Sequence, residues 1–207
     1  MKKCAKHKSC LCIIDDDPEI ADLYKNYINH RKEFYCFETF RSVTDFLLKI
    51  SHFVVPDMLI LDIGLPDIRG DHGIIEIKKF YPDIDIIIFS VHTDEEIILQ
   101  SYLNGAAAFI SKGEALPKMI EVLDIVANGG FPFNSHLART LINILEDQPD
   151  KNTMINDHEL DLLERISTGA SETYLATILN QPHYQLTRQF KKIILECLTK
   201  NQIKSGI

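Results

Sequence analysis

The sequence predicts an α/β protein: a doubly wound, five-stranded parallel sheet followed by a second, small all-α domain. Three observations predict it. Short, unbroken apolar runs recur along the first part of the chain. Segments of helical periodicity separate them, as alternating strand and helix require. After Asn128-Gly129-Gly130 only helical patterns follow.

Taken in order, LCII (11–14), MLIL (58–61), IIIF (86–89) and AAFI (107–110) are continuous rather than alternating, the pattern of strands covered on both faces. FYCFETF (34–40) supplies the fifth strand. Helical patterns fill 19–30, 42–51, 71–80, 93–104 and 116–128. Asn104-Gly105 and Asn128-Gly129-Gly130 read as C-terminal stops, and Thr93 before Asp94, Glu95 and Glu96 reads as a capped, acidic first turn. The first domain then spans 9–130, with helices on both faces of the sheet. A further helix over 135–145 and the Pro, Asp and Asn of EDQPDKNT make 131–152 a connecting helix and linker. The last segment, 153–207, holds helical patterns at 157–167, 171–179 and 183–198.

Composition narrows the function. The 207 residues are 45% hydrophobic and 25% charged, ordinary globular usage. Residues 1–150 carry 15 Lys and Arg against 24 Asp and Glu, a balance that excludes a nucleic-acid surface there. Residues 151–207 carry 7 against 6, and 183–200 gathers Arg188, Lys191, Lys192 and Lys200 against Glu196. The five cysteines, Cys4, Cys10, Cys12, Cys36 and Cys197, are odd in number and irregularly spaced. They predict a reducing, cytoplasmic setting without a disulfide framework. Cys4, Cys10 and Cys12 with His7 do not read as a metal cluster, because Cys12 falls inside the first strand. The apolar stretch after the basic MKKCAKHKSC is too short to enter a membrane.

The chemistry gathers at strand ends. Asp15 and Asp16 follow the first strand, Asp62 the third, Ser90 the fourth and Lys112 the fifth. In an open α/β sheet these positions converge at the carboxyl edge, where ligands bind. Clustered carboxylates repel one another until a proton or cation relieves them, and an all-oxygen set suits Mg²⁺. A carboxylate beside such a cation is a competent nucleophile toward phosphorus. Asp62 is the best placed, because Pro66 and Gly70 keep the loop DIGLPDIRG short and bent.

IIDDDP (13–18), LDIGLPDIRG (61–70), FSVH (89–92) and NGAAAFISK (104–112) resemble the successive motifs of the receiver domains of two-component response regulators, a flavodoxin-like fold. The resemblance implies Asp62 as phosphoacceptor. It implies Asp16 as a direct Mg²⁺ ligand, Asp15 as a ligand through water and Gly64 as a ligand through its carbonyl, with Ser90 and Lys112 on phosphoryl oxygens. It also implies a switch formed by Ser90 and Phe109. Two positions depart from the family pattern: Gly113 follows Lys112 where proline or an acidic residue is usual, and Phe109 stands where tyrosine is common.

Residues 155–198 resemble the helix-turn-helix of NarL and LuxR (FixJ-like) regulators, with Gly169 in the first turn and Asn180 to Pro182 in the second. Ile166, Leu175, Ile178, Leu179, Leu186, Phe190, Ile193 and Ile194 are its expected core. Its third helix departs from the family, having Pro182, Gln185, Leu186, Thr187 and Gln189 where serine, threonine, valine, lysine and histidine are common. Arg188, Lys191 and Lys192 are expected to meet phosphates, and Gln185 and Gln189 to reach adenine edges. The family's fourth, dimer-forming helix is expected to be shortened or missing, because the sequence closes on NQIKSGI.

Two functions follow. One is a regulator phosphorylated by a sensor histidine kinase that controls transcription through DNA, with homodimerisation on activation. The other is a phosphorelay module whose divergent output domain binds a protein instead. No Gly-rich phosphate loop or Ser/His/Asp set lies elsewhere, so the chain is not expected to be an enzyme.

Overall fold

The computed structural model describes residues 8–68, 70–91, 94–132, 134–146 and 155–205. The chain divides into two units, 1–128 and 129–207.

In the first unit, strands β1 (Ser9–Ile14), β2 (Phe34–Phe40), β3 (Met58–Leu61), β4 (Asp85–Ser90) and β5 (Ala108–Ser111) form one parallel sheet in the order β2-β1-β3-β4-β5. Helices α1 (Pro18–Asn29), α2 (Val43–Lys49), α3 (Gly70–Phe80), α4 (Glu95–Leu103) and α5 (Leu116–Ala127) connect the strands, with a short 3₁₀ turn (Ile50–His52) after α2. β1, β3, β4 and β5 are mostly apolar because both faces of the sheet are covered there, whereas the edge strand β2 leaves Tyr35 exposed and carries Glu38 and Thr39. Leu11, Ile13, Met58, Ile60, Ile87, Phe89, Ala108 and Ile110 pack with Ala21 and Ile28 of α1 and Met119, Val122, Leu123 and Val126 of α5. Alternate strand residues turn to the other face. Phe46 of α2, Ile74 and Ile77 of α3 and Ile98 of α4 are buried there.

Local chemistry sets the helix starts. Asp17 caps α1, its Oδ1 accepting from the Glu19 and Ile20 amides, and Pro18 occupies the first turn, where no donor is needed. The capped turn expected at Thr93 is different. Helix α4 begins at Glu95, and Asp94 takes the extended cap conformation without a side-chain bond, while His92 and Thr93 lie outside the described residues. Gly105 holds φ +100°, the left-handed turn its position demands.

Nothing in the sequence of β2 signals a bulge. Pairing with β1 shifts between Leu11 and Cys12, which leaves Phe37 without a partner residue. Side chains of α1 satisfy the displaced backbone: Asn29 Nδ2 donates to the Cys36 carbonyl at 3.0 Å, its Oδ1 accepts from the Cys36 amide at 2.8 Å, and Lys25 Nζ donates to the Phe37 carbonyl at 3.1 Å. Cys10, Cys12, Cys36 and Cys197 are buried and stand in no disulfide among the described residues. Burial pushes Cys12 well up and Cys36 up to about 12, so both stay protonated. Cys4 and His7 lie outside the described residues.

The second unit contains α6 (Ser135–Glu146), α7 (Asp157–Ser167), α8 (Glu172–Ile178) and α9 (His183–Ser205). Helix α6, assigned by sequence to a connecting segment, buries Leu137, Ala138, Leu141 and Leu145 and packs on α7 and α9. The rest of that segment, 147–154, is outside the described residues. Leu162, Leu163, Ile166, Leu175, Leu186, Phe190, Ile193, Ile194 and Cys197 complete the core. Ile178 does not belong to it, being 42% exposed, and Leu179 is only half-buried. Helix α8 is two turns long and brings only Leu175 fully inward. The third helix continues to Ser205 instead of ending at 198, since neither glycine nor proline interrupts it before Gly206. Among the described residues, no helix is long and apolar enough to cross a membrane.

Candidate functional site

Strand register brings the polar residues of the first unit together. Ile14 pairs with Leu61 across β1 and β3, so the next residues, Asp15 and Asp62, emerge side by side at the carboxyl edge. Ser90 pairs with Ser111 across β4 and β5, which sets Lys112 one residue beyond. Backbone bonds hold these departures: Asp15 N donates to the Phe40 carbonyl at 3.0 Å, Asp62 N to Ile14 at 2.9 Å, and Lys112 N to Ser90 at 2.8 Å.

Lys112 Nζ donates to Asp15 Oδ2 and to Asp62 Oδ2, each at 2.7 Å, and all three side chains are at least 90% buried. The other oxygen of each carboxylate accepts a backbone amide, Asp17 N to Asp15 Oδ1 at 3.1 Å and Gly64 N to Asp62 Oδ1 at 3.0 Å. Burial lifts the Asp15 carboxyl above its ordinary value, outweighing the pull of Lys112 and of the Asp17 amide. Burial also opposes the Lys112 charge, but its bonds to Asp15 and Asp62 prevail and raise the ammonium pKa. Asp16 stands exposed at the rim.

One ligand oxygen from each of Asp15, Asp16 and Asp62 lies within 4.8 Å of the others, and among the described residues no other His, Cys, Asp or Glu set meets that geometry. Three carboxylates with no nitrogen or sulfur donor fit a hard divalent cation. Ser90 is fully buried and Phe109 is 6% exposed, so the ring is packed inward. Gly113 has a local role: its amide donates to Ser111 Oγ at 3.2 Å, a bond that proline would forfeit.

The sequence did not single out the aromatic floor. Lys112 Nζ lies 5.8 Å from the centroid of Phe89, and Tyr24 of α1 meets that ring edge-on at 4.5 Å. Both looked like ordinary core positions, and the apolar pattern carries no signal that separates a core ring from one beneath a lysine.

In the second unit Gln185, Arg188 and Lys191 are exposed on α9 at successive three-residue steps, which places them on one stripe. Lys192 is engaged elsewhere, with Nζ 2.9 Å from Glu159 Oε1 on α7 and 3.6 Å from Glu196. Gln189 is half-buried, and its Oε1 is buried without a hydrogen-bond partner among the described residues. Thr187, one of the residues at which the helix departs from the family pattern, is buried and donates to Glu172 Oε1 at 3.0 Å, tying α9 to α8.

The chain is similar to known proteins in sequence and in fold. Residues 11–124 match the family model described as the response regulator receiver domain. The transcriptional regulatory protein MctR of Rhizobium johnstonii is 26% identical over 64% of this chain and 61% of its own length. The transcriptional regulatory protein KdpE of Staphylococcus aureus is 31% identical over 75% of this chain and 66% of its own length. The similarity therefore spans under two thirds of either relative. RcsB from Salmonella enterica serovar Typhimurium, solved bound to promoter rprA with the phosphomimetic BeF3⁻, shares the fold at 18% identity and a TM-score of 0.58, over 92% of both chains. With the parallel sheet, the acidic edge and the bridging lysine matched by a family model across more than half its length, this chain belongs to the response regulator receiver-domain family.

Proposed function

We propose that this protein is a two-component response regulator that accepts a phosphoryl group on Asp62 from a sensor histidine kinase and controls transcription through its second unit. The observation that carries the reading is Lys112 Nζ, held 2.7 Å from both Asp15 and Asp62 at the carboxyl edge of the sheet.

An Asp62 carboxylate oxygen attacks the phosphorus of a phosphohistidine; the P–N bond breaks, an acyl phosphate forms, and the departing imidazole takes up a proton. Asp15, Asp16, Asp62 and the Gly64 carbonyl would hold Mg²⁺, which when bound neutralises charge on the transferring oxygens. Lys112 supplies a second positive charge and exchanges its Asp62 contact for a phosphoryl oxygen. The product adds about two negative charges. Ser90 and Lys112 are drawn toward them, and Phe109 repacks with α4 and α5, favouring a homodimer. In the second unit Arg188 and Lys191 meet phosphates and Gln185 reads a base edge, as suits a fold shared with a promoter-bound regulator.

Treatment with acetyl phosphate and Mg²⁺ is expected to add one phosphoryl mass to the parent and none to Asp62→Asn. Equal labelling of the two would overturn the assignment of Asp62.

The engagement of Thr187 and Lys192 within the unit, together with the half-burial of Gln189, favours a second reading in which the output unit binds a protein. A phosphorylated chain that retards no fragment of a genomic library would support this reading over DNA binding.

A further inference from the structure

The loop from Asp62 to α3 is fastened at a point the phosphoacceptor motif does not explain. Asp67 Oδ2 accepts from the Thr44 amide at 3.0 Å and from Thr44 Oγ1 at 2.8 Å. Thr44 is the second residue of α2, and its amide is among the donors that a helix start leaves without an internal partner. Ser42 Oγ already serves the Asp45 amide at 3.0 Å. The start of α2 is therefore capped twice, once by its own N-cap and once by a carboxylate 23 residues away.

That start is a firm anchor. Val43 is fully buried, and Gly73 of α3 approaches so closely that a Cβ there would stand 3.0 Å from Val43 Cγ2. Between the anchor and Asp62 lie Gly64, whose amide bonds Asp62 Oδ1, and Leu65, which is buried. The bonds from Thr44 outweigh burial and hold the Asp67 carboxyl below its ordinary value, so it is charged at neutral pH and complements the positive helix terminus.

We propose that Asp67 is a positioning residue for cation binding: by stapling its loop to α2 through Thr44, it keeps Asp62 and Gly64 at the spacing a divalent cation requires. The inference rests on the reading of the Asp62 pocket as an Mg²⁺ site. Mg²⁺ demands near-octahedral geometry, and a ligand loop that must be ordered on binding costs affinity. Asp67 itself touches neither the cation nor the phosphoryl group.

Calorimetric titration of the full chain with Mg²⁺ alone tests it. Asp67→Ala is expected to weaken binding about ten-fold, the scale found when groups supporting metal ligands are removed. Thr44→Val, which keeps the amide, should weaken it less, and Thr44→Ser should restore the parent value. Asp67→Ala with Thr44→Val should be no weaker than Asp67→Ala alone, because both remove one interaction. A purely structural role would lower the melting temperature of the Mg²⁺-free chain and leave the affinity unchanged, which would overturn the proposal. Mg²⁺ binding that is equal in the parent and in Asp67→Ala but lost in Asp62→Asn would overturn the staple alone. A parent that binds no Mg²⁺ would overturn the reading of the pocket and the staple with it.

Discussion

Lys112 bonds two buried carboxylates with a single positive charge and stands where a cation would compete with it. Removing its charge therefore has opposite effects on two measurements. Lys112→Met is expected to bind Mg²⁺ at least as tightly as the parent by titration, because a competing charge is gone. Phosphorylation by acetyl phosphate should slow by roughly 100-fold, the scale for losing one stabiliser of developing charge. Asp15, Asp16, Asp62, Ser90 and Lys112 were legible as a group because strand ends in a parallel sheet converge. Asp67 was not. Its partner lies 23 residues earlier, and nothing in LPDIRG or SVTD marks the pair before the chain folds.

At the level of elements, glycine turns were more legible than caps, and both carry clear stability consequences. Gly169 lies at φ +92° between α7 and α8 with open space around its α-carbon. Gly169→Ala is thus expected to cost about 1 kcal/mol from backbone conformation alone, measured by amide exchange of α7 to α9 in the full chain. Helix α7 opens with a capping box in which Asn156 Oδ1 accepts from Glu159 N at 2.9 Å and Glu159 Oε2 accepts from Asn156 N at 3.0 Å. Burial opposes the Glu159 charge, but the Asn156 amide and Lys192 outweigh it and hold the carboxyl below its ordinary value. A carboxyl depressed in the folded state stabilises above its unfolded pKa, and the contribution disappears as pH falls through the folded value. Acidification from neutral to below about pH 4 should lower the protection of the α7 amides relative to their intrinsic exchange rates at each pH, and Glu159→Gln should flatten that dependence. The capping box is written in NDHE, whereas the link to Lys192 depends on α9 crossing α7.

Across the whole molecule, charge divides the chain into a strongly acidic first unit and a nearly neutral second one. The DNA binding proposed above is therefore assigned to the second unit, and its salt dependence would report which cations face phosphate. Arg188→Ala and Lys191→Ala are each expected to reduce the log affinity against log salt slope by about one. Lys192→Ala should change that slope less and stability more, because its ammonium pairs with Glu159. Fluorescence anisotropy of a bound fragment across a salt series, alongside amide exchange, separates the two effects.

Apolar runs and helical periodicity announced the five parallel strands and the helices between them, and the residues at strand ends announced the acidic edge, because these depend on short-range pattern and on a topology with few alternatives. Long-range contact decided the rest. The bulge at Phe37 exists because Asn29 and Lys25 can satisfy the backbone it frees. Helix α6 is a core element because its apolar stripe finds α7 and α9. Lys192 joins an ion pair, and Gln189 turns partly inward, because neighbouring helices determine which side of α9 meets solvent. A residue's chemistry is carried by its identity, but the groups that compete for that chemistry are chosen only when distant segments meet.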